Sequence, residues 1–245
     1  MEPLLVIHGL FGMGDNWGSH ARHWSTLGME VHLLDMRNHG RSPHTASHTY
    51  LEMVADVLDY MARHQMNSVN ILGHSMGGKV AMELATKHPS RVTRMIVVDI
   101  APKVYPPHHQ PILDAMHSLN FDTITSRTEA DRMLEPMLAD WGIRQFLLKN
   151  LEWKEHKKLG WKFNFQVLES QIERVGAGLS AHDHYAGASL FVRGLRSGYI
   201  KDEDLVQILE HFPLAQLESI EGAGHWVHAE KPDEFRAAVD EFLLA

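Results

Sequence analysis

Apolar positions along the chain fall into short unbroken runs separated by amphipathic stretches. Leu4-Leu5-Val6-Ile7 is one such run, and Ser68 to Gly73, Arg94 to Ile100 and Ala188 to Val192 are others. Runs of this length without polar interruption read as strands buried on both faces, the habit of parallel sheets. Glu30 to Met36 and Gln216 to Ile220 complete the predicted strands. Between them lie segments of helical period. A helix is predicted from about Trp17 to Thr26. Thr49-Tyr50-Leu51-Glu52 has capping-box spacing, and behind it Leu51, Val54, Ala55, Leu58 and Ala62 make one apolar face. Further helices follow from Val80 to His88-Pro89 and from Pro232 to Leu243. Strand and helix alternate, which predicts an α/β fold with a mostly parallel sheet flanked by helices on both faces.

The alternation stops in the middle of the chain. From Ala101 to about Tyr185 no strand is predicted. Pro102, Pro106, Pro107 and Pro111 mark a linker. Helical segments follow over Ile112–Leu119, Thr128–Ala139 behind the capping box Ser126-Arg127-Thr128-Glu129, Ile143–Leu151 and Gln166–Val175. Helix inserted between two sheet strands predicts a cap over the C-terminal sheet edge. The expected division is a core of 1–105 and 186–245 with a helical cap at 106–185. No internal repeat or low-complexity segment is present.

Composition narrows the classes. The 245 residues are 44% hydrophobic and 22% charged, ordinary for a soluble globular protein. Net charge is −8 without a basic block, which argues against nucleic acid as a partner. No apolar run has transmembrane length, so no membrane association is expected. The absence of cysteine excludes disulfides, thiol nucleophiles and thiolate metal sites. Met1-Glu2-Pro3 lacks a basic leader, so the cytoplasm is the default location. Nineteen histidines raise the question of a metal. His108-His109 and His182-Asp183-His184 lack metal-site spacing and read as loop histidines, so neither metal nor cofactor is expected.

The chemistry concentrates at Gly73-His74-Ser75-Met76-Gly77-Gly78. A G-x-S-x-G stretch with strand before it and helix after it is a nucleophile elbow. The tight turn projects the Ser75 hydroxyl above the sheet edge, beside helix amides that lack intrahelical partners. One oxyanion donor is therefore the amide of Met76. A serine hydroxyl needs a base. His225, in the loop Gly222-Ala223-Gly224-His225-Trp226 after the last strand, is the candidate. For the acid the residues leave alternatives: Asp99 near the end of the strand after the elbow, and Asp202 or Asp204 beyond Phe191-Val192-Arg193.

Five stretches carry a resemblance: His8-Gly9-Leu10-Phe11-Gly12, Asp35-Met36-Arg37-Asn38-His39-Gly40, Gly73-His74-Ser75-Met76-Gly77-Gly78-Lys79, Val98-Asp99-Ile100-Ala101-Pro102 and Gly222 to Pro232. Over nearly its whole length the chain resembles the α/β-hydrolase superfamily, and within it the small bacterial esterases of the YbfF type. The resemblance implies a serine esterase acting on small acyl esters or thioesters. It maps the acid onto Asp99 and gives Ser197, in the usual acid position, a supporting hydrogen bond near His225 or Asp99. It assigns the second oxyanion amide to Leu10, with Phe11 as runner-up, and leaves Phe11 and Trp226 as apolar substrate walls. It gives Arg37-Asn38-His39-Gly40 a bracing role under the elbow or the His8-Gly9 loop. Trp141, Trp153, Trp161, Phe146, Phe163 and Phe165 are expected in the cap, most as core and a few lining an acyl pocket. The same triad also serves carbon–carbon bond hydrolases. A non-catalytic ligand-binding relative is the reading outside enzymology, opposed by the intact Ser75 and His225. Dehalogenase and epoxide-hydrolase chemistry would need an aspartate in place of Ser75. The superfamily usually has two further strands ahead of the His8-Gly9 strand, so either a shortened sheet or a missing leading segment is expected.

Overall fold

The computed structural model describes residues 2–154 and 158–245. Its centre is a six-stranded, all-parallel sheet whose strands, from one edge to the other, are β2 (Val31–Leu34), β1 (Leu4–Ile7), β3 (Val69–His74), β4 (Val92–Val98), β7 (Ala188–Gly194) and β8 (Ala215–Ile220). β1, β3 and almost all of β4 are buried, as unbroken apolar runs require. Successive residues face opposite layers. Leu5, Ile7, Ile71, Met95, Val97 and Phe191 pack on one side, while Leu4, Val6, Leu72, Ile96, Val98 and Val192 pack on the other.

Helices cover both faces. α1 (Gly18–Thr26) and α11 (Pro232–Leu244) lie over the second set through Trp24, Phe235 and Val239. α2 (Tyr50–Arg63), α3 (Met76–Lys87) and α9 (Asp204–His211) lie over the first. The capping box of α2 is present: Glu52 N donates to Thr49 Oγ1 at 3.3 Å, and Thr49 N donates to Glu52 Oε2 at 3.2 Å. Its buried face differs from the expected one. Met53, Val54, Val57 and Met61 point inward, whereas Leu51 is 70% exposed. Both sets have helical spacing. The inward set wins because its methionines and valines bury more apolar area than a stripe containing two alanines.

Between β4 and β7 the chain forms α4 (Gln110–His117), α5 (Arg127–Leu134) and α6 (Trp141–Leu148), then α7 (Phe165–Ser170) and α8 (Ile172–Val175). Helical content was expected there; strands were not. Leu151–Trp153 (β5) and Leu159–Trp161 (β6) pair antiparallel within the insertion. Three residues per strand are too few to register a period of two, which is why the sequence pattern hid them. The single helix expected over 166–175 is broken at Gln171. Ser126 caps α5 as expected, but the returning Glu129 carboxylate accepts from Thr125 N at 2.8 Å, and the helix stops at Leu134.

Parallel pairing places the C-terminal ends of β1, β3, β4, β7 and β8 on one edge, so His8, Ser75, Asp99, Ser197 and His225 follow strands that end together. Packing against α3 is tight enough to forbid side chains at the turn. A Cβ on Gly73 would overlap the Gly77 carbonyl, and one on Gly77 would overlap the Ile7 carbonyl at the end of β1. Both obstacles are backbone and cannot rotate away. Gly77→Ala should therefore destabilise the protein by about 1–3 kcal/mol, read as a fall in the urea midpoint. A loss below ~0.5 kcal/mol would contradict this packing.

Candidate active site

The elbow is strained where the motif says it should be. Ser75 has φ 53° and ψ −116°. It is held there by its own amide, which donates to Val98 O at 2.9 Å. Phe11 (φ 57°), Asn38 (φ 65°) and Asp99 (φ 51°) are also left-handed. Non-glycine residues adopt such angles at a cost of roughly 1–3 kcal/mol each, and they persist where the surroundings fix them. All four stand in the loops at the C-terminal sheet edge.

Asp99 follows β4 and is wholly buried. Its amide donates to Val192 O at 2.8 Å, which extends the β4–β7 pairing by one residue. Its carboxylate is surrounded by donors. Gly194 N donates to Oδ1 at 3.2 Å, Ser197 Oγ donates to Oδ2, and His225 Nδ1 lies 2.7 Å from Oδ2. A buried carboxylate stays charged only when it is paired and hydrogen-bonded in this way. Since Nδ1–H donates to Asp99, Nε2 of His225 is left free to accept a proton. His74 Nε2 donates to the carbonyl of His225 at 2.8 Å and fixes the backbone of that loop.

The other two acid candidates are committed elsewhere. Asp202 is 92% exposed at its side chain and pairs with Arg193 at 2.6 Å. Asp204 opens α9, is buried, and pairs with Lys103 at 2.6 Å.

Opposite the elbow, Gly9-Leu10-Phe11 is held by two imidazoles. His8 Nδ1 donates to Gly9 O at 2.7 Å, while Met36 N donates to His8 Nε2 at 3.0 Å. His39 Nδ1 donates to Arg37 O at 3.0 Å, while Phe11 N donates to His39 Nε2 at 3.2 Å. Each ring gives one hydrogen bond and takes one, which only neutral imidazole can do. The Arg37-Asn38-His39-Gly40 loop thus braces the His8-Gly9 loop. The Phe11 amide is occupied by this brace. Among the described residues the amides of Leu10 and Met76 donate no hydrogen bond. The insertion joins in: Asn150 Nδ2 donates to Phe11 O at 2.7 Å, and Asn164 N donates to Asn38 O at 2.8 Å.

Ser75 and His225 line one cavity of about 90 Å³. No hydrogen bond joins Ser75 Oγ to His225 Nε2 among the described residues, and apo sites often tighten only around substrate. Leu10, Phe11, Phe146, Leu147, Ile112, Ile143 and Trp226 supply its apolar walls. Of the aromatics expected in the insertion, Phe146 alone lines it. Trp161 and Phe163 are buried core, and Trp141 and Trp153 are largely exposed. His108 and His109, read from sequence as loop histidines, also line the cavity, and Tyr199 faces it as well. No local pattern marks these three; the fold brings them in from the linker after β4 and the loop after β7. His182 and His184 are exposed, and no cluster of three metal-ligating side chains occurs among the described residues. A larger cavity of about 360 Å³ lies beside Arg37, Asp56 and Tyr60, away from Ser75.

Burial sets the protonation of the surrounding histidines. It lowers His8, His39, His74 and His228, and it lowers His20, His48 and His109 to about 4. Unfolded histidines titrate near ~6.5. Between about 4 and that value the unfolded chain therefore binds more protons than the folded one. The stabilisation is complete above pH ~6.5 and is lost as pH falls, with a limit of about 1.4 kcal/mol per pH unit for each histidine. The urea midpoint should accordingly be lower at pH 5.0 than at pH 7.5. Equal or greater stability at pH 5.0 would contradict neutral imidazoles in these positions.

Comparison with known proteins identifies the family and the fold. Residues 2–134 match the model of the alpha/beta hydrolase fold family. The chain is 35% identical to Esterase YbfF of Escherichia coli (strain K12), over 99% of this chain and 93% of that protein. It is 38% identical to sn-1-specific diacylglycerol lipase ABHD11 of Xenopus laevis, over 98% of this chain and 79% of that one. Among solved structures, a marine microorganism esterase superposes with a TM-score of 0.95 at 40% identity, covering 98% of this chain and 95% of the other.

Proposed function

We propose, from the premise that this chain belongs to the alpha/beta-hydrolase family, that it is a carboxylic ester hydrolase whose acyl-enzyme forms on Ser75. The observation that carries the reading is the 2.7 Å bond from His225 to the buried Asp99, with His225 in the same cavity as Ser75. His225 Nε2 takes the Ser75 Oγ proton as Oγ attacks the ester carbonyl. The imidazolium then donates from Nδ1 to Asp99, which fixes the tautomer and balances the new charge. The carbonyl oxygen, now an oxyanion, accepts from the free amides of Met76 and Leu10. Their freedom supports the pair over Phe11, whose amide is spent on His39. Collapse expels the alcohol or thiol, protonated by His225. Water, deprotonated by the same ring, then attacks the acyl-enzyme and releases the acid.

Ser197 supports the acid by donating to the same carboxylate oxygen that accepts from His225. The insertion acts as the cap. Ile112, Ile143, Phe146 and Leu147 form an apolar slot opposite Ser75, into which an acyl chain fits with Phe11 and Trp226 as further walls. The relatives' names, an esterase and a diacylglycerol lipase, agree with ester substrates.

Ser75→Ala should keep the wild-type circular dichroism and lose hydrolysis of a p-nitrophenyl ester by about 10³-fold or more. A fluorophosphonate should label wild type once, on the peptide carrying Ser75, and leave the variant unlabelled. Activity within tenfold of wild type in the variant would remove Ser75 as nucleophile.

A further inference from the structure

The bond to Asp99 fixes one atom of the His225 ring and leaves the plane free to rock about it. Tyr199 removes that freedom. Its ring stacks on the imidazole with centroids 4.0 Å apart and planes 19° from parallel. The phenol is itself anchored at both ends. Tyr105 Oη donates to Tyr199 O at 2.6 Å, and Tyr199 N donates to Ser197 Oγ at 3.2 Å. The hydroxyl of Tyr199 bonds to His108 Nε2, whose Nδ1 donates to Pro106 O at 2.9 Å. Tyr105 in turn receives Ala101 N at 2.8 Å, so the loops after β4 and β7 are latched together beneath the ring.

We propose that Tyr199 is a positioning residue for His225: its ring holds the imidazole plane toward Ser75 and favours the imidazolium over the neutral ring. The inference rests on His225 being the base. An aromatic face carries negative quadrupole charge and attracts a cation more than a neutral ring. The positive charge exists only after Ser75 Oγ has given up its proton, and it is discharged when the leaving group takes that proton. Stacking therefore stabilises the transition state more than the ground state, the condition for raising kcat. Burial pushes the Tyr199 hydroxyl up to about 12, so the stacked ring stays an uncharged phenol throughout. The other titratable groups near the imidazole are Asp99, which carries the counter-charge, and His74, His109 and His228. Burial lowers all three histidines and keeps them neutral near pH 7.

The test compares Tyr199→Phe with Tyr199→Leu, using p-nitrophenyl acetate and thermal unfolding to confirm the fold. Tyr199→Phe keeps the ring and drops the bond to His108; it should retain kcat within about threefold. Tyr199→Leu should lose about tenfold in kcat with KM within twofold, and the acidic limb of its pH–rate profile should move to lower pH because the imidazolium has lost a partner. Tyr199→Met carries the same expectation should the leucine variant not fold. A leucine or methionine variant with unchanged kcat and acidic limb would overturn the proposal, as would a loss confined to KM, or a phenylalanine variant as impaired as leucine. Fluorophosphonate labelling of Ser75 in wild type stands apart from these outcomes, so the role of Tyr199 can fail while the esterase reading holds.

Discussion

The hydrogen bond between Asp99 and His225 is the constraint from which the rest of the site follows. A carboxylate buried to this degree keeps its charge only if its lone pairs are filled. Here they are filled by three groups from two other strand ends: Gly194 N in the last residue of β7, Ser197 Oγ after it, and His225 Nδ1 after β8. That requirement orders the sheet edge, because β4, β7 and β8 must be consecutive neighbours, and they are. It also accounts for a serine at 197. With the Asp99 carboxylate buried after β4, the loop after β7 donates a hydrogen bond to it. A second carboxylate there would face Asp99 with like charge.

The side of the site opposite the elbow is built on a different economy. Its loop is held by neutral imidazoles that accept backbone amides, His8 from Met36 and His39 from Phe11. A histidine suits this work because it gives and takes one hydrogen bond in the same plane, but only while unprotonated. His8 and His39 are thus structural connectors of this loop. The insertion is tied into the same loop through Asn150 and Asn164. On our reading, the walls that receive the acyl chain and the amides that receive the oxyanion therefore move as one unit.

Much of this was legible in the sequence. The buried parallel strands announced themselves as apolar runs, their alternation with helices gave an α/β fold, and the resemblance carried by five loop stretches narrowed it to the α/β-hydrolase fold. Ser75, Asp99 and His225 were named from those stretches, and Ser197 from the place after the Phe191-Val192-Arg193 strand where the superfamily usually has its acid; in the structure Asp99 bonds to Ser197 and His225, and His225 shares a cavity with Ser75. What escaped shares one property: its signal is a contact between residues distant in the chain. Tyr199 and His108 meet across ninety residues and have no pattern of their own. Asp204 stood as an alternative acid because nothing local reveals Lys103 beside it. The β5–β6 hairpin is too short to show a period, and its connecting residues 155–157 lie outside the described structure. The face of α2 was misread because two stripes of similar period compete, and only packing decides between them.

The central claim is that the acid stands after β4 and not after β7. The most direct test is kcat/KM for Asp99→Asn beside Asp202→Asn on one short-chain ester, with both variants shown to be folded. Asn at position 99 keeps the shape of the site but removes the charge that balances the imidazolium and selects its tautomer. The account predicts a loss of up to about 10⁴-fold for Asp99→Asn and less than about threefold for Asp202→Asn, whose exposed ion pair contributes little. A crippled Asp202→Asn beside a nearly normal Asp99→Asn would contradict it.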